Sequence, residues 1–179
     1  MSNLVDQIHR DHINMVRVIE LIEQEVERAR KEETPDLDLL EDALRYLTNY
    51  SDLVHHPKED AMFERLAHKE PDMASQMDVL KDEHQSLARV GAAFLEIVKA
   101  AESGEFVQRK EVVKRGTEYM GMLRSHMDAE EVGILKRARA VLSDQDVADI
   151  EARYSDKRDP MMDDSLKKEY AALYRSLFE

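Results

Sequence analysis

The chain has 179 residues, 42% of them hydrophobic and 36% charged, with few glycines, prolines and aromatics, so it reads as one soluble, mostly helical domain with a real core. Its net charge of −13 argues against nucleic acid, because an acidic surface repels phosphate and releases no counterions. It has no cysteine, which excludes disulfides, thiolate zinc sites, iron–sulfur clusters and cysteine nucleophiles.

Apolar spacing is helical almost throughout. The start, MSNLVDQIHRDH, lacks an uninterrupted apolar stretch of signal type, and no apolar run is long enough to span a bilayer, so the expectation is a cytoplasmic protein without membrane contact. In the first segment Ile8, His12, Met15, Ile19, Ile22 and Val26 recur in steps of four and three. Thr34 and Pro35 offer an N-cap and a first helical position, with Asp36 and Asp38 suited to the positive end of the macrodipole. The second stripe runs Leu37, Leu40, Leu44, Leu47, Ser51, His55, Glu59, Met62 and Leu66. Pro71 opens a third stripe through Met73, Met77, Leu80, His84, Leu87, Gly91, Phe94 and Val98, which Ser103-Gly104 ends. Val112, Gly116, Tyr119, Leu123, His126, Glu130 and Ile134 form the fourth. Four long helices with short turns predict an all-α, up-down-up-down four-helix bundle over residues 1–142.

Residues 143–179 predict a C-terminal helical extension. Ser143 to Tyr154 reads as a short capped helix, Asp159-Pro160 breaks the chain, and Leu166, Tyr170, Leu173 and Leu177 make another amphipathic stripe. Four of the ten aromatics fall in the last 26 residues, so this tail buries something, either the bundle itself or a second copy; the chain is expected to be a monomer or a homodimer.

Four histidines and two glutamates stand where the bundle would otherwise bury apolar side chains. If the helices begin near Asn3 and Pro71 and end near Lys69 and Val141, His12 lies about nine residues from one end of the bundle, Glu59 about ten, Glu130 about eleven and His84 about thirteen, which is one layer roughly 13–20 Å deep. Buried imidazoles and carboxylates must recover their desolvation cost, and a metal ion does this most directly. A mixed set of nitrogen and hard oxygen donors favours iron or manganese, with zinc as a substitute. Six donors are many for one ion. Two glutamates on opposed helices can instead bridge a pair of ions, each completed by two histidines, as bundle cores do in other carboxylate proteins. The Glu-x-x-His spacing of ferritin-like sites is absent, and so is HExxH.

His56 and Asp60 repeat the spacing of His55 and Glu59, but the leucine stripe of the second helix selects His55 and Glu59. Glu131 competes with Glu130 in the same way. His9 falls off the first stripe and reads as a surface or supporting group, and His68 as solvated. Met15, Met62, Met77 and Met127 read as core fillers. Pro57 either kinks the second helix to aim the ligands or is tolerated strain, and Gly91, Gly116, Gly121 and Gly133 are expected at close helix contacts.

Asp11-His12, HHPKED from His55 to Asp60, Glu83-His84 and HMDAEE from His126 to Glu131, in this order over roughly residues 3 to 141, resemble the hemerythrin-like, or HHE cation-binding, domains. The resemblance implies a four-helix bundle with a non-haem di-iron centre that binds oxygen or related small ligands or senses iron. It would make His12, His55, His84 and His126 terminal ligands and Glu59 and Glu130 bridges. Oxygen-carrying members have a His-x-x-x-His pair on the third helix, whereas here Ala88 follows His84 at that spacing. The ion held by His84 and His126 is therefore expected to keep an open position unless His56, Glu83 or Glu131 fills it. The expected function is a di-iron protein that binds or senses a small diatomic or anionic ligand, or iron itself. The alternatives are a di-iron redox enzyme, consuming peroxide or repairing iron centres, and a helical interaction module with a structural metal.

Overall fold

The computed structural model describes residues 4–154, 159–162 and 164–179, and the described residues are helical with no strand. The expected start of the first helix near Asn3 lies outside them. Helix α1 spans Leu4–Arg30, and α2 spans Leu37–Tyr46. A π-helical segment, Leu47–His55, joins α2 directly to α3, His56–Lys69. Helix α4 covers Ala74–Glu102 and α5 covers Arg109–Ala129. A second π segment, Glu130–Ile134, runs on into α6, Leu135–Val141. The extension adds α7, Asp144–Arg153, and two short helices, α8 at Ser165–Glu169 and α9 at Ala171–Phe178. No helix is long and apolar enough to cross a membrane among the described residues.

The caps follow from local chemistry. Asp36, not Thr34, caps α2: the Leu39 amide donates to its carboxylate at 3.0 Å, so the helix starts two residues later than the Thr34-Pro35 pair suggests. Pro71 opens a single 3-10 turn, Pro71–Met73, that leads into α4. Gly104 ends α4 with a φ of 86°, a conformation that costs glycine little. Ser143 and Asp146 close a reciprocal capping box at the start of α7.

The apolar interior falls into two clusters. The larger gathers Ile19, Ile22, Leu44, Leu87, Phe94 and Leu123. The smaller gathers Leu4, Ile8, Met62, Leu66, Leu80 and Ile134. Along α1 the order is small cluster, His12, large cluster, and it reverses along the second long segment, where Tyr50 precedes His55 and Met62 follows Glu59. The order reverses again at His84 and again at Glu130. The extension folds back on this frame. Leu166, Tyr170, Ala172 and Leu173 join the larger cluster, Ile150 joins the smaller, and the Ala172 amide donates to Asp42.

Two of the four glycines named above are at close contacts. A Cβ at Gly116 would collide with Val26 and stand 3.1 Å from the Phe94 ring, and one at Gly91 would meet Tyr119 at 2.9 Å. Gly121 faces open space, and Gly133 meets only Gln76, at ordinary van der Waals distance. Gly116→Ala is therefore expected to destabilise the chain by about 1–3 kcal/mol through overpacking. Gly121→Ala should instead stabilise it by up to about 1 kcal/mol through helix propensity. Denaturant unfolding of the two variants checks both signs; equal stability would mean that α1 and α5 are not packed this closely.

Candidate metal centre

The layer between the two apolar clusters is polar and buried. His12, His55, His56, His84, His126, Glu59 and Glu130 are all buried, both glutamates with no exposure at all. All six residues selected from the sequence are brought together. The carboxylates divide their oxygens between two sides. Glu59 Oε1 lies 3.2 Å from His12 Nε2 and 3.1 Å from His55 Nε2, while its Oε2 lies 3.5 Å from His84 Nε2. Glu130 does the same in mirror order: Oε2 is 3.4 Å from His12 Nε2, and Oε1 is 3.3 Å from His126 Nε2 and 3.7 Å from His84 Nε2. Two donor pockets result, one formed by His12, His55 and Glu59, the other by His56, Glu59, His84 and His126.

His56 corrects the reading that left it off the core face. It is as buried as His55, and its ring stacks on His84 with centroids 4.2 Å apart and planes 9° from parallel. Uniform α-helical geometry turns adjacent residues about 100° apart. The wider π turn, in which the His56 amide reaches back five residues to the Ser51 carbonyl, shifts that register so that both histidines face the interior. Pro57 follows directly on this turn. It lacks the amide that an unbroken α ladder would use, and it stands in the first turn of α3, where that missing donor costs least. The second π segment begins at Glu130, where the Leu135 amide bonds to the Glu130 carbonyl.

Each histidine has an outer carboxylate on its Nδ1 side. His12 Nδ1 donates to Glu131 at 2.8 Å, His55 to Asp11 at 3.2 Å, His84 to Asp60 at 2.9 Å and His126 to Glu83 at 2.9 Å. Asp52 stands 3.3 Å from His56 Nδ1. These bonds fix ring orientation and turn Nε2 inward at His12, His55, His84 and His126, as metal-ligating imidazoles require. The sequence reading missed the role of Asp11, Asp52, Asp60 and Glu83. Asp11 and Glu83 each precede a histidine of the layer, but each bonds a histidine on another helix, so adjacency alone does not reveal the pairing. Glu131 is half-buried and ties His12 to the exposed His9, whose Nδ1 lies 2.9 Å from it, which agrees with a supporting place for His9. His68 is exposed.

The donor set fits a cation. Six buried atoms of the layer have no hydrogen-bond partner among the described residues: His56 Nδ1, Glu59 Oε2, His84 Nε2, His126 Nε2 and both Glu130 oxygens. Leaving such groups unpaired is costly; His56 Nδ1 has Asp52 nearby, but the other five face the layer, and a bound cation would satisfy them together. The electrostatics agree. Burial opposes charge on His84, yet Asp60, Glu130 and Glu59 outweigh it and raise its pKa to about 11. Burial likewise opposes charge on His12, but its bonds to Glu130, Glu131 and Glu59 hold it well above the usual imidazole value. Glu59 would be raised by burial, but the charge of His55 and bonds from His12 and His55 hold it well below the usual range. His56 goes the other way, pushed well down by burial and by the charge of His84, so it stays a neutral donor. Two sunken carboxylates thus draw positive charge into the layer.

A cavity of about 400 Å³ opens between α1 and α5 beside this layer, lined by His9, His12, Ile13, Val16, Met127 and Glu131 among others. It reaches the His12 side, not the His84 side.

Because the outer carboxylates fix the rings, removing one is expected to loosen a metal without removing its ligand. Asp60 is partly exposed, so Asp60→Ala should fold, and its metal affinity should fall about 10–100-fold in a chelator competition. Unchanged affinity would show that the His84 orientation is set by packing alone.

A family model described as Hemerythrin HHE cation binding domain matches residues 3–138. No curated protein and no solved structure matches the chain.

Proposed function

The chain belongs to the hemerythrin HHE cation-binding family, and from that premise and the donor geometry we propose a non-haem di-iron protein that binds a small diatomic or anionic ligand. The reading takes the helices as an up-down-up-down bundle, supported by the reversal of the two apolar clusters from one long segment to the next. The observation that carries it is the split of each buried glutamate between two histidine groups, Glu59 Oε1 toward His12 and His55 and Glu59 Oε2 toward His84. Glu59 and Glu130 would bridge, His12 and His55 would hold one ion, and His84 and His126, joined by His56, would hold the other. Iron bound there supplies redox chemistry and an acidic coordination position for an outside ligand.

The protein's own residues decide where that ligand goes. Three imidazoles on one side and two on the other make the sides unequal. On this reading His56 would fill the vacancy expected from Ala88 on the His84 side, and the side poorer in protein donors is that of His12 and His55. It is also the side that the cavity reaches. Ile13, Val16 and Met127 line the approach with apolar surface and Arg17 and Arg124 stand at the same cavity, which suits a small neutral or anionic molecule. Glu131 holds the His12 ring from behind and keeps its Nε2 turned to the layer.

Anaerobic loading with ferrous iron, followed by air, tests the reading. Metal analysis should give two irons per chain, an oxo-bridged diferric absorption band should appear, and azide should perturb it. One iron or none in folded protein would overturn it.

A further inference from the structure

We propose that Tyr50 and Tyr46 form an electron relay between the metal layer and the outer face of α2, covered by Tyr170; the proposal rests on the di-iron reading. The rings are evenly spaced from a ligand outward. The Tyr50 centroid lies 6.4 Å from that of His55 and 5.8 Å from that of Tyr46, with the two tyrosines stacked. Tyr170 meets Tyr46 edge-on at 6.1 Å, and the Arg45 guanidinium lies over the Tyr170 ring at 5.3 Å. All three rings are buried. Electrons tunnel readily between aromatic rings so close together.

Packing alone would explain stacked aromatics, and any buried phenol needs a partner, but here both partners are carboxylates, which are costly to bury. The Tyr50 hydroxyl donates to Asp11 at 2.9 Å, and the same carboxylate accepts from His55. The Tyr46 hydroxyl donates to Asp159 at 2.9 Å. Asp159 is itself buried, held by the Asn14 side chain at 2.8 Å and the Met161 amide at 2.9 Å. Burying a carboxylate against a phenol is costly where packing is the only gain. It is what one-electron oxidation of a tyrosine requires, because an oxidised phenol is a strong acid and must hand its proton to a nearby base. Burial also keeps the Tyr46 phenol protonated, well above the usual phenol range.

The steps balance. Once a peroxide-class oxidant has oxidised the iron-loaded centre, Tyr50 would give it one electron, and the Tyr50 proton would move along the hydrogen bond to Asp11. Tyr46 refills Tyr50 with an electron as Asp11 returns the proton, and the Tyr46 proton passes to Asp159. A one-electron donor of the ascorbate or thiolate class, outside the protein, then reduces Tyr46 across the Tyr170 ring, and Asp159 returns its proton. One electron has moved from the outside donor to the centre, and every phenol is restored. In this way a strongly oxidised centre is quenched without damage to the ligands, and the C-terminal extension becomes part of the redox path through Asp159 and Tyr170.

The test is electron paramagnetic resonance of iron-loaded protein freeze-quenched after mixing with hydrogen peroxide. A tyrosyl radical signal is expected, lost in the Tyr46→Phe, Tyr50→Phe double variant, unchanged in Tyr154→Phe, and quenched by ascorbate. Fluorotyrosine in place of Tyr46 keeps the hydrogen bond to Asp159 and should add fluorine hyperfine structure, which covers the case of a double variant that does not fold. Iron content and the diferric band are read on the same samples. Iron bound normally with no tyrosyl signal, or with a signal indifferent to both changes, overturns the relay alone. A folded chain without iron overturns the di-iron reading and the relay with it.

Discussion

If the centre holds two ions as proposed, substitution of Glu59 by alanine is expected to strip the protein of both, a larger loss than any single histidine variant produces. Glu59 is the residue common to both donor pockets, and it is fully buried with one oxygen on each side. Losing it removes a ligand from each ion and the negative charge that holds His12, His55 and His84 around it. The histidines that remain are then buried beside a single carboxylate, Glu130, and mutual repulsion opposes any return of a cation. Iron analysis after anaerobic reconstitution should find Glu59→Ala close to metal-free, while Asp60→Ala keeps its metal at weakened affinity. A Glu59→Ala protein that retained one iron firmly would show that the pockets are independent and that Glu59 is no bridge.

His56→Ala is expected to lose about one of the two irons, the one on the His84 side, because three imidazoles there become two and the stacked partner of the His84 ring disappears. This reverses the expectation drawn from the leucine stripe, under which His56→Ala would keep most of its iron and His55→Ala would not. Both variants should now show partial loss, from opposite sides of the centre. Mössbauer spectra of the two half-loaded proteins would distinguish the remaining sites. Full iron occupancy in His56→Ala would return His56 to a packing role against His84.

The different fates of His55 and His56 show what the sequence could and could not convey. The stripes through His12, Leu44, Leu87 and Leu123 were legible because apolar recurrence survives in any helix of ordinary pitch. The layer was legible because polar residues interrupt each stripe at one height. The resemblance of the quoted motifs to the HHE domains is matched by the family model over residues 3–138. What periodicity could not carry is a local change of pitch. Extrapolating 100° per residue through Leu47–His55 counts a turn too tightly, so the face assigned to His56 was wrong even though the stripe on either side was right. The outer carboxylates were hidden for another reason. Asp60 and Glu83 look like any charged helix surface until their neighbours on the facing helix are known, and only the fold puts His84 beside one and His126 beside the other. The cap at Asp36 was a smaller miss of the same kind, decided by which side chain reaches the Leu39 amide.

The two apolar clusters flanking the layer carry a consequence for cooperativity. Met62, Leu66, Leu80 and Ile134 with the start of α1 make one half-core; Ile19, Leu44, Phe94 and Leu123 make the other. Along the helices, what joins the halves is the histidine–carboxylate layer, whose contacts depend on charge more than on shape. A pair of ions there would be a rivet between two folding units, and the small half-core, which holds the first turns of α1 together with α7, is the one that metal removal would free to open alone. Iron status would then be written into the stability of one end of the molecule.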